Sequence, residues 1–210
     1  MKRVLALAAF LGVLTGAAFA QDMSAAPPPV VAPVPAGPQI LFSTSMGDIT
    51  VELDTVGAPK TAANFLKAVR AGHYNNARFY RIENFLIQLG DQDVKGAYRK
   101  PPVPAVPLET ATNKHAKYAL GLAHGADPNS GQTTFYIDLL ENSSLNAQEG
   151  APPNTTGYAA FGKVVAGFEV VDAISKVELA PTGGPFPGKL PKVPVFVKIA
   201  KVLPAPAAPK

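Results

Sequence analysis

Phe79-Tyr80-Arg81-Ile82-Glu83-Asn84-Phe85-Leu86-Ile87-Gln88-Leu89-Gly90-Asp91 sets two polar side chains inside apolar, strand-like runs. Arg81 stands two residues after Phe79, so simple alternation sends both side chains to one face, toward a core or a cleft. Gln88 lies between Ile87 and Leu89 and is likewise embedded in an apolar strand. An arginine so placed is a permanently protonated hydrogen-bond donor. The competing reading has Arg81 snorkelling to solvent at a strand end and Gln88 facing water.

Other chemistries find little support. The chain has no cysteine, which removes disulfides, thiolate metal sites and a cysteine nucleophile together. His73, His115 and His124 are scattered without metal-ligand spacing, so no metal site is expected. No G-x-S-x-G elbow, phosphate-binding glycine loop or H-E-x-x-H motif occurs, and a hydrolase with a covalent nucleophile is not supported. Asn142-Ser143-Ser144 and Asn154-Thr155-Thr156 match only the short glycosylation acceptor pattern. A formal charge of +4, dispersed along the chain, lacks the basic stripe of a nucleic-acid binder, so no nucleic-acid partner is expected.

The elements that must position Arg81 and Gln88 read as follows. Ile49, Val51 and Leu53 alternate with Thr50 and Glu52 as a half-buried strand. Ser45-Met46-Gly47-Asp48 is a turn before it, and Ile40-Leu41-Phe42 its hairpin partner. Ala62, Phe65, Leu66 and Val69 then recur at helical spacing, with Pro59 in the first turn and Gly72 as the stop. Further strands are predicted over Phe79–Ile82, Phe85–Leu89, Tyr118–Ala123, Phe135–Leu139 and Tyr158–Val164, and a short helix over Phe168–Ser175. Val193, Val195, Val197 and Ile199 alternate as a final strand, with Pro194 marking an edge or a bulge at its start. Many short strands with two isolated helices argue for a closed or nearly closed antiparallel barrel plugged by helices, with a sandwich as the competing arrangement. Residues 92–117 and 140–157 are long connections expected to lie on the surface and rim a site.

The ends read differently from this domain, which spans about residues 39–203. Lys2 and Arg3 precede an apolar run from Val4 to Gly16, and Ala18-Phe19-Ala20 supplies a cleavage site, so residues 1–20 read as a signal peptide cut after Ala20. That run is shorter than the ~20 residues of a spanning helix, so no stable membrane insertion is expected once it is removed. Pro27, Pro28, Pro29, Pro33, Pro35 and Pro38 make residues 21–38 an extended, disordered Pro/Ala-rich leader, and residues 204–210 a similar short tail.

The segment singled out first resembles the signature of the cyclophilins, peptidyl-prolyl cis-trans isomerases whose pattern runs Phe-His-Arg and then Phe-Met-Ile-Gln-Gly-Gly-Asp. Here it reads Phe79-Tyr80-Arg81 and then Phe85-Leu86-Ile87-Gln88-Leu89-Gly90-Asp91. Pro59-Lys60-Thr61 with Asn64-Phe65, Ala126-Asp127 through Ser130 to Phe135-Tyr136-Ile137, and Phe161-Gly162-Lys163-Val164 match other family segments in order. With the export signal, the chain looks most like the periplasmic cyclophilins of Gram-negative bacteria.

The resemblance implies a mainly β fold, a closed eight-stranded antiparallel barrel capped by two α-helices, with the active groove outside the barrel. It implies Arg81 as the catalytic residue, Phe85 and Leu86 lining a proline pocket, and Gln88 binding the substrate backbone. Leu122, His124, Gly125, Thr134, Phe135, Tyr136, Leu145 and Tyr158 take the remaining pocket or groove positions. Neither cofactor nor metal is implied; the expected partners are proline-containing polypeptides, the expected state a monomer and the expected compartment the periplasm. Several residues depart from the pattern. Thr134 replaces a glutamine, Tyr136 a phenylalanine, Leu86 a methionine and Leu89 a glycine, while Tyr158 stands where many members have histidine. Ser144 aligns with the tryptophan of cyclosporin-sensitive relatives. A binding or holdase module of the same fold, with weak or lost isomerase activity, is the alternative function.

Overall fold

The computed structural model describes residues 37–204; the expected signal peptide and nearly all of the leader and tail lie outside them. The first hairpin forms as its alternation dictates. Strand β1 (Gln39–Thr44) pairs with β2 (Gly47–Leu53), and Ile40, Phe42, Ile49, Val51 and Leu53 all turn inward. Thr44 closes the turn, its hydroxyl donating to Gly47 O at 2.6 Å and accepting from Met46 N at 3.0 Å.

Helix α1 (Pro59–Arg70) buries Ala62, Phe65 and Val69 of the predicted stripe, with Ala68 beside them and Leu66 half-buried. Its N-cap, Ala58, has no polar side-chain atom to offer. The orphan amides are met instead by Glu109, from the loop expected to lie on the surface and rim a site, which accepts from Lys60 N at 3.1 Å and Thr61 N at 2.8 Å. The same loop sends Val103, Val106 and Leu108 into the core. Gly72 ends the helix at φ +69°, a conformation that disfavours a side chain.

Strands β3 (Ala77–Ile82), β4 (Leu86–Asp93), β5 (Ala119–Leu122), β6 (Phe135–Asp138), β7 (Ala159–Ala166) and β8 (Val197–Val202), with helix α2 (Phe168–Ile174), complete the order. All eight strands form one antiparallel sheet, β3-β4-β6-β5-β7-β2-β1-β8, which rules out the sandwich. The expected closed barrel is only nearly closed. At the seam, β3 meets the chain around β8 through the Arg78–Phe196 bridge and bonds from Phe79 N to Val195 O (2.9 Å) and Asn76 N to Val197 O (2.7 Å). Pro191 and Pro194 precede β8 and have no N–H to give, so a full ladder cannot continue there.

The expected alternation of the last strand also changes. Val195 and Val197 are buried, but Val193 and Ile199 are exposed, and Ala200 is the next residue to turn inward. Val193 lies before the strand and outside its ladder; beyond Val197 the cause is a bulge, since Thr44 pairs with Val197 and Ser43 with Ile199, making Lys198 an extra residue that inverts the parity. Inside the barrel Phe65 packs on Phe161, Phe135 and Tyr74 with ring centroids 4.9–5.0 Å apart, each buried ring contributing roughly 1.5–3 kcal/mol. Among the described residues no helix is long and apolar enough to cross a membrane.

Candidate active site

Two rows of residues cross β3, β4, β6 and β5 on opposite faces. The inner row, Phe79–Leu89–Phe135–Leu122, belongs wholly to the core. The outer row, one position along, is Arg81–Gln88–Tyr136–Gly121. Alternation alone would put Arg81 on the face of Phe79. It does not, because β3 is bulged: Phe79 pairs with Leu89 and Arg81 with the adjacent Gln88, leaving Tyr80 as the extra residue. Tyr80 and Leu86 are buried yet stand outside the core cluster, as does Tyr136, so they form a second apolar surface outside the barrel.

Arg81 is held from several sides. Its Nη1 donates to Gln88 Oε1 at 3.1 Å and its Nε to Glu83 Oε1 at 3.2 Å. The guanidinium carbon lies 6.0 Å from the centroid of Phe85 and 4.5 Å from that of Phe186. Among the described residues, Nη2 has no hydrogen-bond partner. Gln88 Nε2 in turn donates to the Tyr80 hydroxyl at 3.0 Å, so both ends of this amide are engaged within the protein. Partial burial pushes the Glu83 carboxyl up, but hydrogen bonds and charge from Lys189 and Arg81 outweigh it and hold Glu83 below the usual carboxylate range. Burial, and then the nearby Asp91 carboxylate, push the Tyr80 hydroxyl far up.

On the other flank Tyr136 lies over Gly121, where even a Cβ would come within 2.1 Å of its ring. Tyr158 meets Tyr136 edge-on at 6.1 Å and stacks on His124 at 4.4 Å, and its N–H donates to Leu145 O at 2.9 Å. Behind them sits a fully buried pair, His115 Nδ1 and Asp138 Oδ2, 2.8 Å apart. His115 Nε2 faces Tyr158 O at 3.1 Å, and its ring stacks on Tyr136 at 5.8 Å. Asn142 Nδ2 donates to Asp138 Oδ1 at 2.5 Å and to Phe85 O at 2.9 Å. Burial and then the Asp138 charge push the Tyr136 hydroxyl well up, and among the described residues that buried hydroxyl has no partner.

The matching family model is described as cyclophilin type peptidyl-prolyl cis-trans isomerase/CLD and spans residues 39–200. The chain belongs to the cyclophilin family. It is 36% identical to a peptidyl-prolyl cis-trans isomerase of Streptomyces antibioticus over 164 residues, covering 77% of this chain and 96% of the relative. Peptidyl-prolyl cis-trans isomerase A of Dickeya dadantii is 32% identical over 169 residues, covering 78% and 84%. Among solved structures, a Cryptosporidium parvum cyclophilin superposes with a TM-score of 0.63 at 24% identity, covering 80% of this chain and 99% of that one, a likeness of fold.

In this cyclophilin Arg81, Phe85, Gln88, Tyr136, Leu145 and Tyr158 are linked by the contacts above, and Leu86 lies on the same outer face. His124, Gly125 and Thr134 line an adjoining cavity of about 370 Å³, which also touches Tyr80, Gln88 and Phe186. Leu122 and Phe135 are not brought to the groove. Strand alternation turns both inward, where they pair with each other in the core. Leu89 is also inside, at 1% exposure, so the departure from glycine there does not touch the groove. The sequence reading missed Tyr80, Glu83, Phe186, Lys189 and the His115–Asp138–Asn142 network. A lone aromatic amid Gly183-Gly184-Pro185 and Pro187-Gly188 was the one available sign of Phe186.

Proposed function

We propose that this protein accelerates rotation about X-Pro peptide bonds, with Arg81 as the catalytic hydrogen-bond donor. Amide resonance sets a barrier of ~18–20 kcal/mol, and uncatalysed isomerisation takes tens of seconds or more. In the twisted state the prolyl nitrogen regains its lone pair and accepts a hydrogen bond that the planar amide cannot. A donor aimed at that nitrogen therefore acts mainly on the transition state. The unpartnered Nη2 of a guanidinium already held by Gln88, Glu83 and the Phe186 ring carries this reading. Phe85, Leu86, Tyr136, Leu145 and Tyr158 form the pocket for the ring, while the cavity beside His124, Gly125 and Thr134 takes the neighbouring chain.

The substrates are proline-containing segments of polypeptides. Residues 1–20 support an exported, periplasmic setting, the domain acting as a monomer behind its Pro-rich leader. The departures from the family pattern at Thr134 and Tyr136 favour the second reading, a binding module with weak or lost isomerase activity. A protease-coupled assay of cis X-Pro peptide conversion separates the two. Acceleration that scales with enzyme supports the isomerase, whereas saturable peptide binding without acceleration leaves the binding module.

A further inference from the structure

We propose that Phe186, in the loop between α2 and β8, is a positioning residue that holds the Arg81 guanidinium in its working orientation by covering one face with an aromatic ring. The inference rests on the reading of Arg81 as the donor. The ring centroid lies 4.5 Å from the guanidinium carbon, well within the ~6 Å range of a cation–π contact, whereas that of Phe85 stands at its limit, 6.0 Å. Phe186 also stacks on Tyr80 at 6.3 Å with the planes 8° apart, so its own ring orientation is fixed by the bulge residue beside Arg81.

The loop is moored to the same place by charge and backbone. Lys189 Nζ reaches Glu83 Oε2 at 2.7 Å, on the carboxylate whose other oxygen receives Arg81 Nε. Lys189 O accepts from Ile82 N at 2.8 Å, one residue beyond Arg81. Gly188, at φ +72°, turns the chain so that Lys189 N returns to Phe186 O at 3.1 Å. Ring, carboxylate and strand therefore move as one unit. An arginine free to swing would lose rotamer order and gain water on its open face, and both weaken a donor aimed at one lone pair.

The test compares turnover of a cis X-Pro peptide by Phe186→Ala, Phe186→Leu and Phe186→Tyr, each with and without Arg81→Ala, alongside thermal melting. Phe186→Ala and Phe186→Leu are expected to lower turnover about 5- to 30-fold, the range of a partly desolvated cation–π contact. Phe186→Tyr should keep wild-type turnover, since it restores an aromatic face where leucine restores only bulk. In the Arg81→Ala background the Phe186 substitutions should cost nothing further, because the group they position is gone. Melting temperatures should stay near wild type, since the ring is partly exposed and outside the core. Full activity of Phe186→Leu, or losses that simply multiply with that of Arg81→Ala, would overturn the inference and leave Arg81 as the donor. An active Arg81→Ala enzyme would overturn the donor reading, and the inference with it.

Discussion

On the flank of the groove formed by Tyr136 and Tyr158, the support is buried: His115 and Asp138 are fully enclosed, His115 facing Tyr158 O and Asp138 accepting from Asn142, which also donates to Phe85 O. On the flank formed by Arg81, the support is half in water. Arg81 and Glu83 keep 24% and 13% of their side-chain surface, and Lys189 keeps 40%. The first flank rests on enclosed polar contacts that form only when the chain folds. The second presents a charge and is set by local side chains and one loop. On the proposed function, substitutions on the two flanks should separate stability from turnover.

Arg81→Ala should make the largest difference. Turnover should fall roughly 10²- to 10³-fold, the scale of one transition-state donor, with the melting temperature unchanged. Arg81→Lys should not restore it, because an ammonium lacks the planar fork. Normal turnover, or a loss that merely follows a lowered melt, would end the catalytic role.

Asp138→Asn should behave in the opposite way. Weakening charge-assisted hydrogen bonds in a closed site costs about 1.5–3 kcal/mol, or roughly 2–4 °C of melting temperature per kcal/mol in a protein of this size. Activity should fall through KM rather than kcat, since the pocket walls loosen while Arg81 stays in place. A normal melt with an intact KM would erase the contrast between the flanks.

Tyr136→Phe should have a smaller effect of the other sign. It removes a buried hydroxyl that has no partner, so stability should rise by about 1 kcal/mol. The hydroxyl is enclosed against Gly121 and does not face solvent, so kcat/KM should stay near wild type. A drop in both would mean that the hydroxyl has a partner on substrate binding.

The smallest effect is in pH. Glu83 is held below the usual carboxylate range, so its ionised form, and the orientation it gives Arg81, persist as the pH falls through that range and are lost only beneath it. Asp54 is also lowered: burial pushes it up, but bonds from the Gly57 and Val56 amides outweigh that, so melting alone mixes several groups. The kcat/KM profile is the cleaner readout. It should be flat toward acid until below the ordinary glutamate range, and Glu83→Gln should remove that acid limb. A fall centred at the ordinary value or above would contradict the tether.

Where local pattern decides structure, the sequence was easily read. Ile49, Val51 and Leu53 are the inward residues of β2, and Ala62, Phe65 and Val69 the buried stripe of α1. Pattern failed where one extra residue shifts parity. Arg81 shares its predicted face with Phe79 only if β3 is regular, and Ile199 turns inward only if β8 is. The quoted family motifs led to Arg81, Gln88 and Tyr136, yet the same motifs carried along Phe135 and Leu122, whose strand positions face the core. His115 and Asp138 are 23 residues apart, and Phe186 lies more than 100 residues beyond Arg81. Such meetings are set by the closure of the barrel, to which no local period refers.

The half-zipped seam between β3 and β8 bears on how the enzyme fails with heat. Edge strands with few cross-strand bonds open first, in local fluctuations that cost less than global unfolding. Strand β3 is that edge, and it carries Arg81. Amide protons at Phe79 and Ile82 should therefore exchange faster with deuterium than those at Ile87 or Ile137 inside the sheet. Catalytic output should then fade at temperatures where the aromatic interior is still intact.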